Sequence, residues 1–403
     1  MLKLAFRNLF RHKVRTRLTL AAIAFGVTVI ILSGGFVEDM FVQLRESTIH
    51  SQVGHIQVYK TGYYSQGRRD PYHYLIQNPD LLAQQLSKLP HVKQVMERIQ
   101  FSATLNNTQA DLPVLGEGVE ADKESELGGA VTWVAGRALT DGDAYGIVLG
   151  EGVARALQLQ PGDYATLLVS APGGVLNSLD FKVVGVFHTL AKDYDDHAVR
   201  ILLPAAQDLL AVQGVHSLVL LLDDTLATTD VAAALKSRLP ADEYEVKTWL
   251  ELTDFYGKTV KLYTSYFGVM KLIISVMVFL GVLNSITLAM YERTGEFGTL
   301  MALGNRGRSL LWLIFVENTL LGLFGCISGA VIGVLCAKAI SAVGIPMPPP
   351  PNMSSGYTAL IRVVPSVIVM SMVIGYAAAL FASFFAARRV IRLPIIEALR
   401  YNI

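Results

Sequence analysis

The sequence predicts an α+β membrane protein: four transmembrane helices, with a large extracytoplasmic α+β domain between helices 1 and 2. Three observations lead there. Apolar runs at 18–37, 262–289, 310–337 and 363–386 can each cross a bilayer as a helix, for which about 20 mostly apolar residues suffice. A long polar region, 38–261, separates the first run from the second. The charge is also split. Segments 1–17, 290–309 and 387–403 carry +6, +1 and +3, whereas 38–261, with 18 Lys and Arg against 29 Asp and Glu, carries −11. The net +1 of the 403 residues hides this asymmetry. A mean hydropathy of +0.43 suits a membrane protein with a large soluble part. Basic short segments stay on the cytoplasmic side, so both termini and 290–309 are expected inside and 38–261 outside, in a multi-pass protein.

The elements follow in order. Residues 1–17 hold Lys3, Arg7, Arg11, Lys13, Arg15 and Arg17 and no acid. This is a cytoplasmic amphipathic helix, with Arg7, Arg11, Lys13 and Arg15 anchored on an anionic membrane surface. The first run, 18–37, ends at Gly34-Gly35-Phe36-Val37-Glu38-Asp39 without a small-x-small cleavage pattern, so it reads as an uncleaved transmembrane helix 1.

Residues 38–261 are long enough for a true core. Alternation predicts strands at 53–59, 92–105, 112–119, 217–222 and 244–248, with helices at 79–89 and 228–239. Strands and helices drawn from both ends suggest an α+β unit of split βαβ kind. The middle, about 120–215, reads as an inserted, mostly β subdomain, with strands at 146–149, 164–169 and 181–186 and a short helix at 151–157.

The polar loop with His188, Asp193, Asp195, Asp196 and His197 has the residue types of a metal site. Such a cluster arises readily by chance, and no metal is expected. No serine sits between Gly150 and Gly152, so no nucleophile elbow is present there. No acid–base pair stands at a defined spacing either, and no catalytic residue is expected. An acidic domain without basic, aromatic-laced patches is a poor partner for nucleic acid.

Residues 262–289 form transmembrane helix 2, rimmed by Tyr256, Tyr263 and Tyr266, with Lys271 able to snorkel. The stretch 290–309 follows. In it Phe297, Leu300, Met301 and Leu303 recur at near-helical spacing, Gly295, Gly298 and Gly304 punctuate, and Glu292, Arg293 and Glu296 supply charge. A short amphipathic helix at the interface fits this pattern, and so does a plain charged loop that fixes topology. Transmembrane helix 3, 310–337, carries Glu317 beside Asn318. An acid inside a membrane helix points to function, but its shallow depth and nearness to Arg306 or Arg308 favour a tie between helix and loop. Gly322, Gly325, Gly329 and Gly333 allow close helix contact, within the chain or with a partner. The two cysteines, Cys326 and Cys336, are expected as packing residues. The connector 338–362 holds four prolines at 348–351, which favour polyproline II. Transmembrane helix 4 is 363–386. The cytoplasmic tail, 387–403, opens with Arg388 and Arg389, which also read as surface anchors.

Four features together resemble a known superfamily. They are the opening Leu4-Ala5-Phe6-Arg7-Asn8-Leu9-Phe10-Arg11-His12-Lys13-Val14-Arg15-Thr16, the motif Glu292-Arg293-Thr294-Gly295-Glu296-Phe297-Gly298 with Ala302-Leu303-Gly304 behind it, Glu317 in helix 3, and the ending Ala386-Ala387-Arg388-Arg389 with Pro394 and Glu397-Ala398-Leu399-Arg400-Tyr401. The chain is similar to ABC transporter permeases of the MacB/FtsX/LolC-LolE superfamily, which includes macrolide-exporter, lipoprotein-releasing and cell-division permeases. The resemblance implies that residues 292–304 form a coupling helix docking on a cytoplasmic ABC ATPase. It also implies that 38–261 is a MacB-like periplasmic core domain meeting substrate or a periplasmic carrier or adaptor. A dimer with a second copy or a paralogue is implied too, as is ATP-driven motion passed across the membrane for lipoprotein release or export of an amphiphile. No Gly-x-x-x-x-Gly-Lys-Ser/Thr phosphate loop occurs. ATP and Mg are therefore expected on the partner, and no cofactor on this chain. Two other classes differ in what they would need. A non-transporting scaffold or signalling subunit would lack a transported substrate, and a membrane-bound enzyme would need a nucleophile or paired acids.

Overall fold

The computed structural model describes residues 13–67, 70–127, 131–189, 191–305, 307–348 and 356–391. They form two compact units. One takes in the described residues up to Val42, Thr259–Pro346 and those from Thr358 onward; the other is Gln43–Lys258 with Met347–Tyr357. The basic segment 1–12, the run 349–355 with its prolines, and the tail beyond 391 lie outside the described residues, and so do Arg7 and Arg11.

Five helices build the first unit: α1 (Lys13–Thr48), α2 (Asp254–Glu292), α3 (Thr294–Ala302), α4 (Gly307–Val343) and α5 (Pro365–Ile391). All but α3 are long and apolar enough to cross a membrane. At 1.5 Å per residue, the 36 residues of α1 measure about 54 Å, well beyond a hydrocarbon core of about 30 Å. The helix therefore runs on past Glu38 and Asp39, where the apolar run ends. Asp39 can stay helical and buried because Arg362 Nε donates to its Oδ1 at 2.9 Å. The core between these helices is built from Ile23, Val27 and Ile31 of α1, Val282 and Ile286 of α2, Ile314 and Cys326 of α4, and Ala379 and Ala382 of α5.

Glycines set the approach of α4. A Cβ on Gly325 would come within 2.8 Å of the Ile23 side chain, and one on Gly329 within 2.7 Å of Ala24 O. Gly333 faces Ile31, while Gly322 faces Ala379 and Tyr376 of α5. The small-residue stripe thus packs inside the chain. Close approach lets dispersion and polar contacts hold helices that gain no hydrophobic drive in lipid. Thr28 Oγ1 of α1 adds one such contact, donating to Gly329 O at 3.0 Å.

The second unit is a sheet of ten strands: β1 (Ile56–Lys60), β2 (Val92–Asn106), β3 (Asp111–Val119), β4 (Thr132–Gly136), β5 (Gly146–Gly150), β6 (Tyr164–Ser170), β7 (Leu176–His188), β8 (Ala198–Leu202), β9 (Ser217–Leu222) and β10 (Tyr244–Thr248). The order is β10-β1-β9-β2-β3-β8-β5-β7-β4, with β6 on β2 and β7. Two pairs, β3 with β8 and β5 with β7, are parallel. Strands β5, β8 and β9 are buried along their whole length. They read as continuous apolar runs because both faces are covered. The helices Pro79–Leu86, Leu203–Leu210 and Thr228–Arg238 turn Leu82, Leu209 and Leu235 into the same core. Strands of the middle region pair with the rest of the sheet, β6 with β2 and β8 with β3, and share its apolar cluster.

Where β2, β3 and β8 run side by side, charges are buried together. Arg98 and Arg200 are almost without exposure, and Arg98 Nη2 donates to Glu124 at 3.0 Å. Glu117 accepts from Arg200 Nε at 3.1 Å and from the Tyr194 hydroxyl at 2.7 Å. Burial alone would push the Glu117 carboxyl up; Arg98 and Arg200 outweigh it and hold it below the ordinary range.

Candidate functional site at the short helix between the second and third crossings

Helix α3 begins where α2 ends. Arg293 breaks the run with φ −101° and ψ 6°, and its N–H donates to Met290 O at 3.2 Å. The turn buries Arg293 and Thr294. Thr294 Oγ1 closes on Met290 O at 3.2 Å, and Thr299 Oγ1 on Gly295 O at 2.9 Å. At the far end Leu303 N–H donates to Thr299 O and Gly304 N–H to Met301 O, each at 3.0 Å. Gly304 has φ +92°, a left-handed position that stops a helix at no cost to glycine.

The centre of the site is an ion pair that spans 24 residues. Arg293 Nη1 donates to Glu317 Oε1 at 2.9 Å and Oε2 at 2.8 Å, and Arg293 Nε donates to Glu296 Oε2 at 3.1 Å. Arg293 and Glu317 are 5% and 3% exposed. Burial by itself would favour the neutral guanidine. Glu317 outweighs it and holds Arg293 above its ordinary range. The start of α3 is therefore fastened to the flank of α4 by a charge-assisted pair shielded from water, where such bonds are strongest.

Glu317 ties its helix to the preceding segment through Arg293; Arg306 and the side chain of Arg308, expected near it, lie outside the described residues. Nothing in the sequence signals this pairing, because Arg293 reads as one more loop charge until α2 and α4 are laid side by side. Of the motif, Arg293, Thr294, Gly295 and Gly298 face inward, Glu292 is exposed, and Glu296 is 40% exposed at its side chain. Leu303, expected on the apolar face, stands 78% exposed at the helix end, beside exposed Gly304. Phe297 and Leu300 lie on the helix, with side chains outside the described residues. Arg388 is exposed near the end of α5; the side chains of Lys13, Arg15 and Arg389 are not among those described.

Elsewhere the polar groups are engaged structurally. Asp195 is buried and accepts from Thr189 N–H and Oγ1, at 2.9 and 2.8 Å. Asp196 accepts from Lys192 at 2.6 Å, and His188 lies 3.5 Å from Glu151. Among the described residues no group of three or more His, Cys, Asp or Glu is placed to hold a metal ion.

Comparison with known proteins agrees with this anatomy. Residues 16–238 match the family described as MacB-like periplasmic core domain, and residues 268–395 match the FtsX-like permease C-terminal family. An uncharacterized ABC transporter permease of Methanocaldococcus jannaschii is 25% identical over 66% of this chain. The lipoprotein-releasing system transmembrane protein LolE of Haemophilus influenzae is 24% identical over 79%. The macrolide export ATP-binding/permease protein MacB of Sodalis glossinidius is 25% identical over 85%. The chain spans 64%, 80% and 52% of the lengths of these three relatives. With four membrane-spanning helices, a large mixed sheet domain between the first two and family matches over both parts, the chain belongs to the MacB/FtsX/LolC-LolE superfamily of ABC-transporter permeases.

Proposed function

We propose that this chain is the permease subunit of an ABC transporter and passes the ATP-driven motion of a separate ATPase to its sheet domain. The observation that carries this reading is the fastening of α3. The buried Arg293–Glu317 pair ties the helix to α4, and the turn at Arg293 joins it directly to the end of α2. Glu292 and Leu303 are left outward. A push on such a helix is not absorbed locally; it displaces two membrane helices, and one of them leads through residues 249–258 into the sheet. In this reading α3 and both termini are cytoplasmic, residues 43–258 face the periplasm, and ATP and Mg are bound by the partner. The working unit contains a second copy or a paralogue. The domain handles a lipidated protein or another amphiphile, alone or with a periplasmic carrier or adaptor, since two of the relatives are named for lipoprotein release and macrolide export.

The test is reconstitution of the chain with the ATPase that copurifies with it. Glu292→Lys and Leu303→Arg change outward groups without touching the buried pair. Both variants are expected to insert and accumulate normally, to bind the ATPase at least about tenfold more weakly, as the loss of one hot-spot contact would give, and to lose the permease-dependent change in hydrolysis rate. Variants that bind, hydrolyse and transport like wild type would reduce α3 to a topological connector.

A further inference from the structure

The last turns of α1 are held to the sheet by a short chain of polar side chains, and one backbone N–H fixes where each proton in it sits. Past Thr48 the helix closes in a π-turn, Ile49–Val53, with Gly54 N–H donating to Ile49 O at 2.9 Å. Gly54 has φ +64°, and a Cβ there would fall 2.4 Å from Val219 Cγ1, so the backbone passes close against β9. His55 follows and is 1% exposed. Its N–H donates to Leu220 O of β9 and its carbonyl accepts from Trp249 N–H, each at 2.9 Å.

The ring of His55 is placed as firmly as its backbone. Leu222 N–H of β9 points at Nδ1 from 3.1 Å. An amide N–H can only donate, so Nδ1 bears the lone pair and Nε2 the proton. Nε2–H then donates to Thr225 Oγ1 at 3.1 Å, and the Thr225 hydroxyl donates to Glu46 Oε2 of α1 at 3.1 Å. Glu46 lies 3.5 Å from His50 Nε2, and its other oxygen accepts from Arg45 Nε at 3.0 Å. Donors and acceptors thus run in one direction, from β9 through His55 and Thr225 to the end of α1.

A second proton on His55 has no place in this arrangement. It would set Nδ1–H head to head with Leu222 N–H, two donors without an acceptor, where the ring is shut off from water. Burial opposes the imidazolium most, then His50; Glu46 and Asp224 favour it, and Arg45 opposes it. We infer that His55 is an acid-opened latch, which fastens the end of α1 to β9 through Thr225 and Glu46 while its ring is neutral and releases it when the ring takes a second proton. In the closed form the ring is pushed down to about 4 from 6.5. Opened into water, it titrates at its ordinary 6.5, so the open form should gain about tenfold for each pH unit between 6.5 and about 4.

Hydrogen exchange of the full-length chain in lipid nanodiscs, read by mass spectrometry and corrected for the intrinsic effect of pH on amide exchange, tests the latch without any ATPase. Peptides that contain Leu222 are expected to lose protection about tenfold per pH unit from 6.5 to 5, while peptides from β6 keep theirs. His55→Asn offers an amide oxygen in place of Nδ1 and cannot take the second proton, so its profile should be flat. His50→Asn, at a partly exposed position, should keep the wild-type slope. Thr225→Val breaks the link to Glu46, and should lower protection at pH 7 without removing the slope. A flat wild-type profile overturns the latch, and so does a slope that survives in His55→Asn. A slope lost in His50→Asn moves the sensor to that residue and overturns the assignment to His55. Unchanged protection at pH 7 in Thr225→Val overturns the fastening to α1. Loss of protection in β6 over the same range would mean that the whole domain unfolds in acid, which overturns a local device. Should His55→Asn not accumulate, the wild-type, His50→Asn and Thr225→Val profiles still decide.

Discussion

At the scale of single residues, the molecule is decided by where charges are removed from water. Glu317 and Arg293 show one case. Removing one partner of a buried pair leaves the other uncompensated and costs about 3–5 kcal/mol, whereas replacing both by apolar groups of similar volume is often near neutral. Glu317→Ala is therefore expected to lower the thermal midpoint in detergent and to open the segment around Gly304 to protease. Arg293→Met combined with Glu317→Leu should recover most of the midpoint. Equal losses for the single and double variants would mean that the pair holds nothing. Glu97 shows a second case: burial, and then Glu120, push its carboxyl up to about 7 from an ordinary 4.5. The folded chain keeps that proton while the unfolded chain releases it, so its contribution to stability is full below about 4.5 and is lost as the pH rises to 7. His55 and His216 act in the opposite sense. Burial pushes each down to about 4 from 6.5, so their contributions are lost as the pH falls through that window. Glu97→Gln should accordingly raise the thermal midpoint at pH 8, by the equivalent of about 1–2 kcal/mol, and leave it unchanged at pH 4. A variant no more stable than wild type at pH 8 would show that Glu97 bears no ionisation cost. None of these environments could be read from the sequence, because each depends on partners dozens of residues away.

Elements were more legible, and the exceptions have physical causes. Apolar runs and alternation marked the four long helices and most of the strands, since a membrane helix and a half-buried strand both write their surroundings into local composition. The end of α1 was not legible: the acids Glu38 and Asp39 look like a boundary, but Asp39 is neutralised by Arg362, which lies 323 positions further on. The pairing of the middle strands was also hidden, because the β6–β2 and β8–β3 contacts join residues far apart in the chain. The glycine stripe in α4 was visible, but its direction was not. That direction now predicts a graded series. Gly329→Ala puts a Cβ 2.7 Å from a backbone oxygen of α1, where neither side can yield, and should cost about 1–3 kcal/mol. Gly333→Ala meets side-chain atoms of Ile31 at 3.1 Å or more and should cost less. Gly281→Ala on α2 has nothing within 4 Å and should be neutral or favourable, since alanine is the better helix former. Thermal midpoints in one detergent order the three, and any other order would contradict the packing of α4 on α1.

On the scale of the whole molecule, the sequence carried its strongest statement in charge. The segments flanking the long helices sum to +6, +1 and +3, and the region between the first and second helices to −11. Cytoplasmic segments collect Lys and Arg because moving them across an energised membrane is opposed by both the potential and the insertion machinery. The reverse orientation would place six basic residues outside and an acidic domain of more than 200 residues inside, against that bias at every segment. With four crossings, one measurement on each side settles the rest, because 1–17, 290–309 and 387–403 must share a side. In a background without Cys326 and Cys336, Leu303→Cys is highly exposed at the end of α3, and Leu226→Cys is equally exposed, at 76%, in the sheet domain. Accessibility of the site itself therefore does not bias the comparison. In intact spheroplasts an impermeant thiol reagent should label the cysteine at 226 and spare the one at 303, and permeabilised cells should label both. The opposite pattern would put α3 outside the cell, out of reach of any cytoplasmic ATPase, and would end the coupling assignment together with the topology.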